Sequence, residues 1–304
     1  MLVSVIIPCY NVAGFIDECL ESVYGQEHKP LEVICVNNNS TDETLSQLQK
    51  LKLSHYPDLL ILEESKKGAN AARNFGLNHA TGEWIQFLDA DDLLLPAKIS
   101  TQVTTIKKNG FSGFIAASAT RLKINGEKFT YELQEDDPYL AAFIGKAGTT
   151  CSNLWNKKWL IKVNGWNESI QSSQETDLML RLLLAGCPVK FDTNSLTMLR
   201  DRASGQISQS DPSGRWSQLI FTRLHFLKNI QEHYPVVYER NQQQFCTYLM
   251  SSLLTLATYN RPQALELYKH MKSASCKPAA GFGISRSKAV LLKVLGFPLF
   301  TRLR

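Results

Sequence analysis

The sequence predicts an α/β fold, a mainly parallel sheet flanked by helices, with a helical appendage toward the C-terminal end. Three observations predict it. Short apolar, β-branched runs alternate with segments of helical period over the first part of the chain. These strands are apolar throughout rather than on one face, as strands covered on both sides must be. From about Ser213 the pattern is helical only, punctuated by Pro235 and Pro262.

In chain order, Leu2 to Pro8 reads as a buried strand, and Phe15, Cys19, Leu20 and Val23 then recur at helical spacing. Leu31 to Val36 is a second strand. Ser40 and Glu43 have capping-box spacing, which predicts a helix starting there and carrying Leu45, Leu48 and Leu51. Leu59 to Leu62 is a third strand, Ala69 to Ala80 a helix closed by Thr81-Gly82, and Trp84 to Leu88 a fourth strand. The middle, Phe111 to about Arg202, is less regular and holds Trp155, Trp159, Trp166 and a strong helical stretch from Glu175 to Ala185. Ser217 to Ile230, Val236 to Tyr259 and Gln263 to Lys272 read as helices. The predicted division is a domain of residues 1–212, split near residue 110 into two halves, and a helical region of residues 213–304.

With 304 residues and 44% hydrophobic content, the chain can build one sizeable core, or a large and a small one. A formal charge of +5 suits a phosphate-bearing ligand or an anionic membrane surface and does not demand nucleic acid. Seven cysteines without C-x-x-C spacing read as reduced thiols rather than a disulfide framework or a zinc site. Met1 to Pro8 reads as a strand rather than a signal peptide, and no apolar run reaches the ~18 residues that span a bilayer. The expected location is the cytoplasm.

In parallel sheets, ligands bind at the carboxyl ends of the strands. That rule selects Cys9-Tyr10-Asn11, Asn37-Asn38-Asn39, Glu64 to Gly68, and Asp89-Ala90-Asp91-Asp92. The last is the sharpest signal. Three carboxylates crowd together after an apolar strand, a cost that a divalent cation relieves. Helix N-capping is the bland alternative, and Asp92 suits it. The absence of a glycine-rich phosphate loop after the first strand disfavours a nucleotidyltransferase or a dinucleotide-dependent dehydrogenase.

Pro8-x-Tyr10-Asn11, Ser40-Thr41-Asp42, Gly68-x-x-x-Ala72-Arg73-Asn74-x-Gly76 and Asp89-Ala90-Asp91 together resemble the family 2 inverting glycosyltransferases of GT-A fold, over about residues 1–200. The resemblance implies a nucleotide-diphosphate-sugar donor, a UDP-sugar being favoured, and a Mn2+ or Mg2+ ion. It implies nucleotide contacts from Pro8, Tyr10, Asn11, Asn37, Asn39, Arg73 and Asp89, with Asp91 and Asp89 as metal ligands. Asn37 stands where the family carries an aspartate for the base, and it still offers both a donor and an acceptor. Ser173-Gln174-Glu175-Thr176-Asp177-Leu178-x-x-Arg181 resembles the stretch that carries the catalytic base, with Glu175 in that place and Asp177 as fallback. Leu199 to Ser204 stands where many relatives have a metal-binding histidine. There Arg200 or Arg202 reaches the diphosphate, or the segment is a surface loop.

The implied activity is transfer of a hexosyl or N-acetylhexosaminyl group to a glycan or lipid-linked glycan acceptor, in surface polysaccharide synthesis. A nucleotidyltransferase and a non-catalytic nucleotide-sugar-binding protein are the alternatives. Trp155, beside Asn153 and Asn156, is the acceptor-side candidate. At the C-terminal end, Arg286, Lys288, Lys293, Arg302 and Arg304 are interleaved with Val290, Leu291, Leu292, Val294, Leu295, Phe297, Leu299 and Phe300. That pattern fits either a helix on the inner face of the membrane or one packed on its own domain.

Overall fold

A computed structural model describes residues 1–134, 136–202, 211–272 and 279–302. The strands are β1 (Val3–Cys9), β2 (Leu31–Asn37), β3 (Leu60–Glu63), β4 (Trp84–Phe87), β5 (Leu93–Leu94), β6 (Phe114–Ala117), β7 (Ala119–Leu122), β8 (Lys128–Tyr131), β9 (Leu154–Asn156), β10 (Val189–Asp192) and β11 (Thr197–Arg200). The helices are α1 (Ile16–Tyr24), α2 (Thr44–Ser54), α3 (Ala69–His79), α4 (Lys98–Asn109), α5 (Pro138–Ile144), α6 (Lys157–Lys162), α7 (Gln174–Leu184), α8 (Pro212–His233), α9 (Pro235–Tyr259), α10 (Arg261–Lys272) and α11 (Arg286–Phe300).

The main sheet runs β10-β6-β9-β4-β1-β2-β3 and is parallel except for β9, which is antiparallel to β4 and β6. A second sheet runs β5-β11-β7-β8. The four strands and the helices between them that the sequence predicts up to Leu88 are present, because each carries a clear apolar period. The second sheet was not predicted. Its strands are two to four residues long and only partly buried, so they carry no periodic signal.

The chain forms two compact units. One comprises Met1–Pro138, Lys146–Ser169 and Arg181–Ala203; the other comprises Tyr139–Gly145, Ile170–Leu180 and Ser204–Arg304. Two short segments from the predicted first domain thus group with the C-terminal helices. In the first unit, fully buried Val3, Val5, Ile7, Leu20, Val23, Trp84 and Leu154 form a core on one side of the main sheet. On its other side α3 lies close: a Cβ at Gly76 would come within 2.5 Å of Ile6 Cγ2, which only glycine avoids.

The predicted capping box is not formed. Thr44 opens α2, and its N–H and Oγ1 both donate to the Asp42 carboxylate, at 3.0 and 2.6 Å. Ser40 Oγ instead accepts from the Asn11 N–H at 3.2 Å and so ties the loop after β2 to the loop after β1. The cysteine expectation also needs correction. Cys9, Cys19, Cys35, Cys151 and Cys187 are free, but Cys246 in α9 is disulfide-bonded. Sequence spacing reveals only close pairs and cannot report a bridge made by the fold. No helix among the described residues is long and apolar enough to cross a membrane.

Candidate active site

Because β1 lies between β2 and β4, the loops that follow these three strands emerge side by side at the carboxyl edge. Asparagine amides brace them. Asn11, at φ 51°, accepts from the Thr41 N–H at 2.8 Å through its side-chain oxygen. Asn38 accepts from the Gly68 N–H and donates to the carbonyls of Glu64 and Lys66, all at 2.8 Å. Asn39, at φ 62°, donates to the carbonyls of Glu64 and Ser65. Asn37 differs: it is buried, and its Oδ1 has no hydrogen-bond partner. Tyr10 is largely exposed, and Pro8 lies opposite Val36 of β2, one residue before β1 ends at Cys9.

Gly68, at φ 129°, turns the chain into α3, and Gly76 lets that helix sit down on β1 and β2. Together they place Arg73 beneath the edge. The Arg73 guanidinium is buried, donates to Asp89 Oδ1 at 2.7 Å and to Asn70 Oδ1 at 3.1 Å, and lies 4.7 Å over the Trp166 ring. Trp166 in turn meets Phe87 edge-on at 5.1 Å. Arg73 is therefore not a surface helix charge. It is a stacked, paired cation that orients Asp89.

The acidic loop divides its labour. Asp92 is buried, and its carboxylate accepts from the Arg200 N–H at 2.9 Å. It joins β11 to the loop rather than capping a helix, since β5 follows it directly. Burial first, then the charges of Asp89 and Asp91, push its carboxyl well above the usual range. Asp91 is partly buried. Burial raises its carboxyl too, followed by the charge of Asp89, while Arg202 and Arg200 oppose the rise. Arg202 Nη1 lies 3.6 Å from Asp91 Oδ2, and Nη2 donates to the Asn11 carbonyl at 3.1 Å. Its guanidinium covers the Phe15 ring at 4.6 Å. Arg200 donates to the Asp91 carbonyl and pairs with Glu18. Of the two readings for Leu199 to Ser204, both arginines stand at the acidic loop; Ala203 and Ser204 lie outside the described residues.

These residues suit a divalent ion. Asp89, Asp92 and Cys151 offer ligand atoms within 4.8 Å of one another. Cys151, however, is held as a thiol by burial and by the charges of Asp89 and Asp92. It also accepts from the Asp89 N–H at 3.2 Å, and sulfur is a poor ligand for Mg2+ or Mn2+. The more accessible carboxylates, Asp89 and Asp91, are the hard oxygen donors that such an ion takes.

The family model for glycosyl transferase family 2 matches residues 4–166, which hold every loop just described except the arginine pair. The chain belongs to this family. It is 25% identical over 276 residues to an uncharacterized glycosyltransferase of Rickettsia bellii (strain RML369-C), covering 87% of this chain and 39% of that protein. It is 25% identical over 237 residues to an uncharacterized glycosyltransferase of Haemophilus influenzae, covering 76% of this chain and 79% of the relative. The chain therefore spans well under half the length of the first of these relatives. Among solved structures, it resembles S. aureus TarS 1-349 in complex with UDP-GlcNAc, with TM-score 0.64 and 16% identity over 94% of this chain and 95% of TarS 1-349. It also resembles the mannosyltransferase PcManGT from Pyrobaculum calidifontis in complex with GDP-Man and Mn2+, with TM-score 0.57 and 21% identity over 96% of this chain and 78% of that one. At such identities the likeness is one of fold, and the fold is GT-A.

The Ser173 to Arg181 stretch lies beyond the matched residues and opens α7. Glu175 and Asp177 lie in the first turn, entered through Ser173 at φ 54°. Gln218 of α8 accepts from the N–H groups of Gln171 and Ser172, which fixes this entry. The charge of Glu175 acts on the buried Arg223 guanidinium, which donates to the Phe143 carbonyl. The Trp155 expectation is overturned. The ring is fully buried in the main sheet and stacks on Phe114 at 5.0 Å, leaving no face for a sugar. Sequence reasoning missed Trp166 as the platform for Arg73 and Phe15 as the platform for Arg202. An aromatic residue's period shows that it packs, not against which cation.

Proposed function

We propose that the chain transfers a sugar, with inversion, from a nucleotide-diphosphate-sugar to a hydroxyl of a glycan or lipid-linked glycan, in surface polysaccharide synthesis. The acidic loop is the observation that carries this reading. Asp89 and Asp91, the less buried carboxylates of that loop, follow β4, and Asn37, whose buried Oδ1 has no hydrogen-bond partner, ends β2 at the same edge of the sheet. The names of the two solved structures of like fold favour it too, since one is in complex with UDP-GlcNAc and the other with GDP-Man and Mn2+.

In this mechanism Asn37 recognises the nucleobase, and a uracil edge matches its donor and acceptor. Pro8, Tyr10 and Asn11 line the base and ribose. Asp89, oriented by Arg73, and Asp91 would hold Mn2+ or Mg2+, and the bound ion would supply positive charge for the diphosphate. Arg202 adds a second positive charge on the same side. Glu175 accepts the proton of the acceptor hydroxyl as its oxygen bonds to the anomeric carbon and the electron pair of the old bond leaves on the diphosphate. Asp177 is the alternative base. The protein works in the cytoplasm and touches the membrane peripherally.

The test is a thermal-shift panel of UDP-, GDP- and dTDP-sugars with and without Mn2+. The expected result is that UDP-sugars raise the melting temperature and that Mn2+ enlarges the rise. A panel in which no nucleotide-sugar shifts the transition, with or without the ion, overturns the reading.

A further inference from the structure

The charge of this chain is unevenly placed. After Glu266 the sequence has eight lysines and arginines and no acidic residue, and without them the formal charge of +5 would be negative. Part of this basic stretch is α11, and its position is fixed. Ala289, Leu292, Phe297 and Phe300 are buried, Phe297 stacks on Tyr268 of α10 at 4.7 Å, and Arg261 donates to the Pro298 carbonyl at 2.9 Å and to Thr301 Oγ1 at 3.2 Å. The helix is thus docked by one face.

Its other face is apolar and uncovered. Val290, Leu291 and Val294 share one side of the helix and are 59%, 47% and 75% exposed, and Leu299 is exposed beyond the break at Gly296. Arg286, Lys293 and Arg302 are exposed around them. Just before the helix, Gly281, Phe282 and Gly283 all have positive φ, at 136°, 48° and 82°. For a phenylalanine that conformation is strained, and strain of this kind persists where the surroundings hold it. Ser251 donates to the Phe282 carbonyl and keeps the ring partly exposed. A groove of about 380 Å³ lined by Leu254, Thr255, Phe282 and Ile284 ends at Lys288, one turn before Leu291.

We infer that this face of α11, with Phe282, is a docking surface for an anionic phospholipid bilayer. The apolar side chains enter the headgroup boundary, and the lysines and arginines pair with lipid phosphates. Charge complementarity selects the occupant. A basic helix with an exposed apolar stripe gains from both contacts on an anionic bilayer, and from only one on a neutral bilayer or an apolar protein face. The inference deepens the peripheral contact proposed above and does not depend on the transferase chemistry.

The experiment is co-sedimentation of the full chain with vesicles of phosphatidylcholine alone, or with about a quarter phosphatidylglycerol. The expected result is pelleting with the anionic vesicles only, released at about 0.5 M salt. Lys288→Glu with Lys293→Glu weakens the partition about tenfold or more. Leu291→Asp with Val294→Asp abolishes it, and all four side chains lie on the surface, so the melting temperature and the donor-induced thermal shift stay unchanged. Equal pelleting with both vesicle types, pelleting with neither, or variants that pellet like the parent would each overturn the inference. So would a dimer on size exclusion that the Leu291→Asp, Val294→Asp variant dissociates, because the face would then belong to a second copy. A failed donor panel with intact vesicle binding would sink the transferase reading alone.

Discussion

Glu175→Gln is expected to lower kcat about a thousandfold while leaving donor affinity and melting temperature close to those of the parent. The substitution keeps the size of the side chain and its ability to accept a hydrogen bond, and removes its negative charge and with it its capacity to take a proton. Glu175 occupies the first turn of α7, where an acid also complements the helix dipole. That bland role is worth about 0.3–1 kcal/mol of stability and nothing in the rate, so the two readings separate cleanly. Steady-state kinetics with the donor found by thermal shift make the comparison. Retained turnover in Glu175→Gln, with collapse in Asp177→Asn, would move the role of base to Asp177.

The second large effect is on stability. Lys98 is fully buried at the start of α4, where its ammonium donates to Gln86 Oε1 on β4. Burial is the main cause that depresses its pKa from 10.5 to about 7, against the opposing charge of Asp192. The unfolded chain therefore binds more protons than the folded one between pH 7 and 10.5, and stability from this group rises with pH across that window. At and below pH 7 the penalty is greatest, about 4 kcal/mol. Lys98→Met removes the penalty and leaves Gln86 Oε1 without its donor, at a cost of about 1–3 kcal/mol. Urea unfolding of both proteins at pH 7 and pH 10 is the check. The variant is expected to be the more stable at pH 7 and to lose that advantage, by about 3 kcal/mol, at pH 10. A difference between the two proteins that does not change with pH would contradict this account of Lys98.

Much of the fold was legible because the main sheet is built from elements with strong periods. Val3 to Cys9 and Leu31 to Asn37 are buried nearly end to end, and Ile16, Cys19, Leu20 and Val23 mark one face of α1. Topology brings the loops after β1, β2 and β4 to one edge of the main sheet, the edge that the strand rule selects from the sequence. What the sequence did not disclose depends on contacts far apart in the chain. Asp92 is committed to Arg200 over a separation of 108 residues, and Arg73 rests on Trp166. Ser40 looked like a helix cap because local spacing cannot show that Asn11, 29 residues away, takes its oxygen. Trp155 looked like a sugar platform because its polar neighbours suggested a surface; in the fold Asn153 turns inward to donate to the Ala147 carbonyl, and Trp155 faces Phe114.

The acidic loop is where charge constrains the site most. The charge of Asp89 raises the cost of ionising Asp91 and Asp92, and two of the three carboxylates have basic partners, Asp89 with Arg73 and Asp91 with Arg202. Whether a cation joins them can be measured directly. Titrating Mn2+ into the protein with UDP present, and following the spectrum of the free ion by electron paramagnetic resonance, should show one tightly held ion per chain, weakened at least about tenfold by Asp91→Asn. A parent protein that leaves the free-ion spectrum untouched, with UDP or without it, would contradict the claim that this acidic edge grips a metal.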